Sequence, residues 1–500
     1  MKVMKYLAVA SLVSLAACND GVTPYPDPTP SAKDGNTFAG MYISTGKSAA
    51  TRAVNDSQED YEGRPAESEL TTLELLSAGK GLLKWEKADA EAEGKFWETS
   101  EQGTYQVSPW KNNAGPQLMA LILNRGTILG DVSIGTASDY TFGTSADPAS
   151  DMQDLSTDGG FVMTSKVQSK TIIEGITKEQ VKAGSGENEN VFKFDVERVV
   201  AQGLVAKAAD IAPTTNDKKG VIDLQDLSYA AVNGAVKTYA FCDHAGERTL
   251  GVDGAYKDFE SAIDSYSEFA NAKDPNAVKE YLIRLGNVQK TGAYQIVPVG
   301  ADVEASKKLH GIYFLENSVK HDVFTTENKN FGFYRMAYAK IYAHYTPNEV
   351  LELDNGQLKP RAGVAGETFY KGEKDGLIYA TKEAAKKSQS APDQKAYTYK
   401  DGKCAYRALW NCQKDATGKE VLNANVRRNN TYLLTIKSFE GLGMPWDSSD
   451  PMDPNLLKPT DPDEPTTAPD NPDIEKQDTY MKVEAKVLKW NLVSREVILD

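Results

Sequence analysis

The last stretch of the chain, residues 479–499, is strand-like and follows a spacer that cannot fold. Apolar side chains alternate with charged ones along it, and the apolar face then shifts at a bulge expected near Lys489. The apolar residues are Met481, Val483, Ala485, Val487, Leu488, Trp490, Leu492, Val493, Val497 and Leu499. By itself this pattern is typical of an ordinary last strand that pairs within its own sheet.

The spacer before this strand, residues 447–478, favours pairing of the last strand with another molecule instead of its own sheet. It contains seven prolines, eight aspartates, two glutamates and two lysines, within a chain of net charge −15. Such a composition cannot bury enough apolar surface to fold, and as polyproline II it would extend on the order of 100 Å. Acidic repulsion and proline stiffness therefore predict that the spacer holds the last strand away from its own domain, available to another molecule.

The chain begins with an export signal. Residues 1–18 carry Lys2 and Lys5 before a short apolar core, too short to span a bilayer as a mature anchor. The sequence Leu-Ala-Ala-Cys at residues 15–18 resembles the bacterial lipobox, which predicts cleavage before Cys18 and lipid on its thiol. That lipid would attach the precursor to the outer membrane.

A tether and a first strand follow the signal. Residues 37–45 read as a strand with Ala39, Met41 and Ile43 on one face. The loop after it is small and polar, the kind of exposed segment that proteases cut. Arg52 is the first arginine of the chain, and the second, Arg64, is followed by a proline that resists most proteases.

The rest of the chain reads as all-β. Short strand patterns recur between turn signals throughout residues 69–206 and 238–438. One local helix is predicted at residues 177–182 by a Thr177/Gln180 capping box. Apolar residues at helical spacing within 259–285 predict two short helices inserted in the second half.

No convergent set of catalytic or metal-binding groups is visible in the sequence. The four histidines are scattered, and no nucleophile elbow or complete phosphate loop is present. We therefore predict no enzyme activity, no metal and no cofactor, and the negative charge argues against nucleic acid as a partner. The sequence leaves open how Cys242, Cys404 and Cys412 pair.

The two ends together resemble the fimbrillins of Bacteroidales type V pili, most closely the shaft subunit of the short fimbria. The resemblance rests on residues 426–437, on Gly-Met-Pro-Trp at 443–446, on the acidic spacer and on residues 478–490. Weaker similarities lie at residues 121–124, 160–164 and 196–198.

The resemblance implies a domain architecture and a sequence of maturation and assembly steps. Two transthyretin-like β-sandwiches would occupy residues 53–205 and 206–446, followed by the linker 447–478 and a donor strand at 479–500. An arginine-specific protease would cut between Arg52 and Ala53, although Lys47 lies in the same loop as an alternative, and would remove residues 19–52 with the first strand. The donor strand of one copy would then fill the vacated groove of the next.

The resemblance also implies partners: other copies of the chain, fimbrial anchor and tip subunits, and host or bacterial surface receptors. The protein would form a cell-surface fimbria that supports adhesion and biofilm formation. The main alternative is a surface lipoprotein that binds glycans or a host protein through Trp85, Trp97 and Trp110 without polymerising. A tip or accessory pilin and an enzyme are weaker alternatives.

Overall fold

A computed structural model describes most of the chain. It covers residues 37–44, 60–61, 63–78, 81–100, 104–126, 141–142, 154–183, 190–232, 234–235, 238–241, 282–283, 287–288, 294–295, 297–309, 311–315, 337–411, 413–414, 420–421, 426–445 and 480–490. All of these residues belong to one compact unit, Asp34–Asp500.

The N-terminal half of the described chain is built from twelve strands and one short helix. The strands are β1 Thr37–Ser44, β2 Asp60–Tyr61, β3 Thr72–Ser77, β4 Gly81–Lys87, β5 Lys95–Glu98, β6 Thr104–Val107, β7 Trp110–Asn112, β8 Gly115–Leu123, β9 Thr141–Phe142, β10 Met163–Ser165, β11 Gln168–Ile172 and β12 Val191–Arg198. Helix α1 is Lys178–Ala183, and a 3₁₀ turn spans Pro65–Glu67.

Eight of these strands close into a barrel. Their order is β10-β12-β1-β6-β5-β4-β3-β8, and a short antiparallel pairing of β8 with β10 completes the ring. The prediction of a sandwich in this half is therefore wrong, because the two edges that a sandwich would leave open are paired to each other. Only β1–β12 and β4–β5 are parallel pairs within this ring.

The second half contains the remaining strands and two more helices. The strands are β13 Val200–Lys207, β14 Gly220–Ile222, β15 Ser228–Val232, β16 Gly234–Ala235, β17 Thr238–Tyr239, β18 Leu282–Ile283, β19 Asn287–Val288, β20 Tyr294–Gln295, β21 Val297–Pro298, β22 Ile312–Leu315, β23 Tyr338–Pro347, β24 Val350–Asp354, β25 Gln357–Arg361, β26 Phe369–Gly372, β27 Ile378–Tyr379, β28 Ala396–Tyr399, β29 Lys403–Leu409, β30 Gln413–Lys414, β31 Glu420–Val421, β32 Asn430–Phe439, β33 Met444–Pro445 and β34 Met481–Trp490. The helices are α2 Val303–Lys308 and α3 Lys382–Lys386, and a second 3₁₀ turn spans Lys400–Gly402.

Two sheets face each other in this half. One has the order β18-β16-β22-β13-β32-β34-β2, and the other has the order β21-β15-β23-β29-β33 with β14 beside β23. Trp410 joins them, since its ring stacks on Phe314 of the first sheet at 5.4 Å and meets Tyr229 of the second edge-on at 6.3 Å. The core between these sheets is thus aromatic and closely packed.

A five-stranded lobe projects from the second sheet. Its order is β25-β24-β27-β26-β28, and it occupies the chain between β23 and β29. Asp375 organises its interior, because one carboxylate oxygen accepts hydrogen bonds from the Tyr379 and Ser388 hydroxyls and from Gln394. The 259–285 region, where two helices were predicted, lies almost entirely outside the described residues.

The change from barrel to second sheet occurs at one residue. β12 belongs to the barrel, whereas β13, which begins at Val200, pairs with β22 and β32 of the C-terminal sheet. The boundary therefore falls at Val199 rather than after residue 205. The capping box predicted for α1 is present, with Thr177 and Gln180 exchanging backbone-to-side-chain hydrogen bonds of 2.8 and 3.2 Å. No helix in the described ranges is long and apolar enough to cross a membrane.

The aromatic core of the second half depends on the absence of a side chain at Gly203. A Cβ there would lie 2.6 Å from the Trp410 ring. We expect Gly203→Ala to lower the free energy of unfolding by about 1–3 kcal/mol, the usual range for overpacking, as measured by urea denaturation. Gly160→Ala is the control, because the nearest atom to its added Cβ is 3.8 Å away. Equal midpoints for the two variants would contradict this prediction.

Candidate functional site

The first strand, β1, is an internal strand of the barrel and is paired along both edges. On one side it runs parallel to β12, from Gly40↔Val191 to Ser44↔Asp195. On the other it runs antiparallel to β6 and, nearer its start, to β7. Removing β1 would therefore open the ring and leave two rows of backbone donors and acceptors without partners.

The inward face of β1 contributes directly to the barrel core. Ala39, Met41 and Ile43, the three residues predicted to share one face, are 0%, 1% and 0% exposed. Their burial confirms the predicted strand and its orientation, and the strand ends at Ser44, one residue before the predicted end. Each fully buried large side chain stabilises the fold by roughly 1.5–3 kcal/mol.

The start of β1 is held by the segment that carries α1. The buried Thr37 hydroxyl donates to the Ile173 carbonyl at 2.7 Å and accepts from the Ile176 N–H at 3.0 Å and from Asn190 Nδ2 at 3.1 Å. The Asn190 amide also donates to the carbonyls of Phe38 and Ile173. Asn190 has φ +55°, a conformation that asparagine tolerates better than most residues. These bonds recognise a hydroxyl at the first position of the strand.

Helix α1 lies over the outer face of β1. Val181, its one buried residue, sits above Gly40, where a Cβ would come within 2.6 Å of Val181 Cγ1. The ion pairs Lys178–Glu93, at 3.7 Å, and Lys182–Glu91 connect the helix to the turn between β4 and β5. Glycine inside a strand often marks this kind of close approach.

The last strand, β34, pairs within its own chain. It runs antiparallel to β32 from Asn430↔Lys489 to Phe439↔Met481. The prediction that the acidic spacer holds this strand away from its own domain is therefore wrong for the full-length chain. A spacer of 32 residues is longer than this pairing needs, but its length does not prevent the strand from returning to its own sheet.

β34 is held less firmly than β1. Met481 and Leu488 are buried, whereas Val483 and Ala485 are only partly buried and Lys482, Glu484 and Lys486 are exposed. Among the described residues, its far edge is paired at Asp60↔Lys489 and Tyr61↔Trp490 of β2. Two surface ion pairs, Lys437–Glu484 and Lys482–Glu440, add little.

The remaining predicted donor residues are only partly placed. Val487 and Trp490 lie in the ladder of β34, opposite Tyr432 and Tyr61. Leu492, Val493, Val497 and Leu499 lie outside the described residues, as do Cys18, Arg52 and Ala53. The bulge expected near Lys489 is absent there, and the irregularity lies in the partner strand between Ile436 and Ser438.

A buried polar cluster follows the predicted cleavage loop and connects the barrel to the second half. The Glu67 carboxylate accepts from Arg64 Nε at 3.0 Å, from Gln202 Nε2 at 3.1 Å and from the Tyr313 hydroxyl. Arg198, at the end of β12, donates to the Glu67 carbonyl at 2.9 Å and to Asn429 Oδ1 at 3.3 Å. Residues 64–67 are thereby fixed to both halves of the protein.

Burial dominates the electrostatics of this cluster. It lowers the pKa of Arg198 to about 10 despite the opposing effect of the nearby Glu67 carboxylate, so the guanidinium stays charged at neutral pH. Burial, followed by the Glu67 charge, raises the pKa of Tyr61 and of Tyr313 well above the usual range for tyrosine. The tyrosine hydroxyls therefore remain hydrogen-bond donors at any physiological pH.

The tryptophans of the alternative, glycan-binding hypothesis are not on the surface. Trp85, Trp97 and Trp110 are only 5%, 8% and 8% exposed, and the Trp85 and Trp110 rings pack edge-to-face at 5.5 Å. They form part of the barrel rather than a platform for a sugar ring. A binding surface built on these three side chains is excluded by their burial.

Sequence reasoning missed the residues that hold β1 in place. An isolated glycine inside a strand pattern, Gly40, was the available signal for the contact with α1. Nothing in the sequence indicated that Asn190 would bind Thr37, because the two residues are far apart in the chain and meet only through the fold. The same holds for Glu67 and Arg198.

A family model matches the C-terminal part of the chain. Residues 397–496 match the family model described as major fimbrial subunit protein type IV, fimbrillin, C-terminal. Among solved structures, a fimbrilin from Porphyromonas gingivalis is similar at 15% identity over 92% of this chain and 99% of that chain, with a TM-score of 0.44.

Two further solved structures are similar to this chain. A putative cell adhesion protein from Parabacteroides distasonis has 13% identity over 91% of this chain and 100% of that chain, with a TM-score of 0.44. A tip fimbrial protein from Porphyromonas gingivalis has 12% identity over 91% and 100%, with a TM-score of 0.33.

The matched segment contains β32 and β34, which pair with each other in one sheet, and β29 and β33, which pair in the other. The match supports a role as a fimbrial subunit, and the finer resemblance to the short-fimbria shaft subunit stays a prediction. The predicted resemblance to fimbrillins is confirmed for residues 397–496, which match the fimbrillin C-terminal model.

Proposed function

We propose that this protein is the structural shaft subunit of a cell-surface fimbria. It is exported as a lipoprotein anchored at Cys18, trimmed between Arg52 and Ala53, and polymerised by donor-strand exchange. In that exchange residues 479–500 of one copy replace β1 in the next. Anchor and tip subunits, an arginine-specific protease and surface receptors are the other partners of this scheme.

The observation that carries the proposal is the contrast between β1 and β34. β1 is internal, paired along both edges, and buries Ala39, Met41 and Ile43, whereas β34 has a long ladder with β32 on one edge and two described pairs with β2 on the other, and buries Met481 and Leu488 among its described side chains. A strand that moves from the place of β34 to that of β1 therefore gains a second ladder and deeper burial. This difference gives the exchange a driving force once the slot is empty.

The direction of growth follows from where the two sites lie in the chain. The slot of β1 belongs to the N-terminal barrel and β34 belongs to the C-terminal sheet. A contact between one end of a copy and the opposite end of the next does not close on itself, so repetition produces a fibre. The spacer, residues 447–478, supplies the reach that such a transfer needs.

The untrimmed chain occupies both positions with its own strands. With β1 in the barrel and β34 beside β32, no slot is open. We infer that this arrangement keeps the precursor monomeric during export, and that trimming starts assembly by emptying the slot.

We expect an arginine-specific protease to convert purified full-length protein into SDS-resistant ladders, because the emptied slot accepts the strand of a neighbour. The measurement is gel electrophoresis without boiling. Arg52→Ala is the matched control and should remain monomeric, as should protein lacking residues 479–500. Ladders that persist without those residues would contradict the donor assignment.

We also expect untrimmed protein lacking residues 479–500 to stay folded, since it loses only a peripheral strand. Its melting temperature should fall by no more than about 10 °C, as measured by circular dichroism. Ile43→Asp, which puts an unpaired carboxylate into the barrel core, should not fold. Global unfolding of the truncated protein would favour the non-polymerising lipoprotein instead.

The trimmed protein should begin at Ala53 and never at Pro65. Arg64 is followed by proline, and its guanidinium is held by Asp158 at 2.7 Å and by Glu67 at 3.0 Å. Intact-mass spectrometry of the product identifies the cleaved bond. Asp158→Ala releases one of these contacts while Pro65 stays, so this variant should give the same product. A mass that corresponds to cleavage after Lys47 would contradict the assignment to Arg52 and place the cleavage site earlier in the same loop.

A further inference from the structure

We propose that the incoming strand enters the barrel in the same direction as β1, with Thr479 of the neighbour in the place of Thr37. Lys482 then takes the place of Gly40, and helix α1 has to move off the strand. This inference rests on the proposed exchange and adds its register, its direction and the element that opposes it.

The first constraint is the hydroxyl at Thr37. Three partners converge on it: the carbonyl of Ile173, the N–H of Ile176 and the amide of Asn190, all within 3.1 Å. An apolar replacement would leave the Ile176 N–H without this acceptor, at a cost of about 1–3 kcal/mol, while the Ile173 carbonyl and the Asn190 amide would keep the hydrogen bond between them. The C-terminal segment offers two aliphatic hydroxyls of the size of the Thr37 side chain, on Thr479 and Ser494.

The second constraint is the inward face, which accepts apolar side chains at three alternate positions. With Thr479 first and the strand running forward, those positions receive Met481, Val483 and Ala485. With Ser494 first, the three inward positions receive apolar side chains only if the strand runs in the reversed direction. They are then Leu492, Trp490 and Leu488. The other two arrangements place charged or amide side chains inside the barrel.

Size decides between the two remaining arrangements. Met481, Val483 and Ala485 together have nearly the volume of Ala39, Met41 and Ile43, which they replace. Leu492, Trp490 and Leu488 are far larger, and a closed core tolerates volume-conserving exchanges best. The forward arrangement also puts Tyr480 where Phe38 stood, so an aromatic residue follows the hydroxyl in both strands.

The forward arrangement produces one steric clash, which is with helix α1. Any Cβ at the position of Gly40 lies 2.6 Å from Val181 Cγ1, so Lys482 cannot enter while the helix stays in place. The helix is short and is tied to the β4–β5 turn by the surface pairs Lys178–Glu93 and Lys182–Glu91. It can therefore be displaced, and until then it favours the resident strand over the donor.

Cysteine crosslinking tests the register. Tyr42 lies directly opposite Gln106 of β6, so Glu484 of the neighbour should lie there in the fibre. Opposed residues of an antiparallel pair are close enough for a disulfide. We expect a mixture of trimmed Gln106→Cys and trimmed Glu484→Cys protein to give a covalent dimer on boiled, non-reducing gels. Trimmed wild-type protein accounts for any crosslink through the native cysteines.

Two control mixtures define the outcomes. Lys482→Cys with Gln106→Cys is displaced by two residues and should not crosslink, and Lys489→Cys with Gln106→Cys reports the reversed strand. A crosslink through residue 489 in place of 484 would overturn the proposed direction. Ladders with neither crosslink would overturn the register while leaving the exchange intact, and the absence of ladders would overturn both.

The role of α1 is tested by Val181→Ala, which removes the atom that meets the new Cβ. We expect ladders to form faster in this variant, by about tenfold, as relief of overpacking predicts. Glu179→Ala, on the exposed side of the same helix, is the control and should assemble at the wild-type rate. Equal rates for all three proteins would show that the helix does not oppose the donor.

Discussion

The structure of the first half depends on the double ladder of β1. Its eight-stranded ring is closed at one place by the short contact of β8 with β10 and at another by β1 between β12 and β6. Within the ring of eight described strands each strand is paired on both sides, whereas β11 pairs with β8 outside it. The same closure makes β1 indispensable, because taking it out converts a ring into a sheet with two open edges.

This dependence bears on the proposed change from a monomeric precursor to a polymer subunit. In the full-length chain both strands of the proposed exchange pair within their own chain, but they are buried to different extents. β1 supplies the barrel core, whereas β34 covers one edge of β32 and exposes its charged side chains. In the proposed exchange a strand would move from an edge to an interior position, and cleavage of one peptide bond would free that position.

Features that depend on contacts between residues close in sequence could be predicted, whereas features that depend on distant residues could not. Alternation located β1, its inward residues and β34, and the Thr177–Gln180 capping box located α1, because these signals are local. Closure of the barrel was not predictable, since it depends on a two-residue contact between Leu123 and Met163 and their neighbours, distant in sequence.

The same limit applies to the two errors that concern function. The aromatic residues of β4, β5 and β7 have no periodicity that distinguishes a surface platform from a core, and they are buried. The composition of the spacer describes its stiffness but not where its end is attached, so the pairing of β34 with β32 could not be foreseen.

The polar cluster around Glu67 explains why cleavage upstream of it can remove a core strand without separating the two halves. Arg198 and Tyr313 belong to opposite halves, and both bind the turn at residues 64–67 that directly follows the cleavage loop. Breaking a buried ion pair is strongly destabilising, so this turn stays in place when the preceding segment leaves. In the proposed trimming, this turn would keep the barrel attached to the second half while β1 leaves.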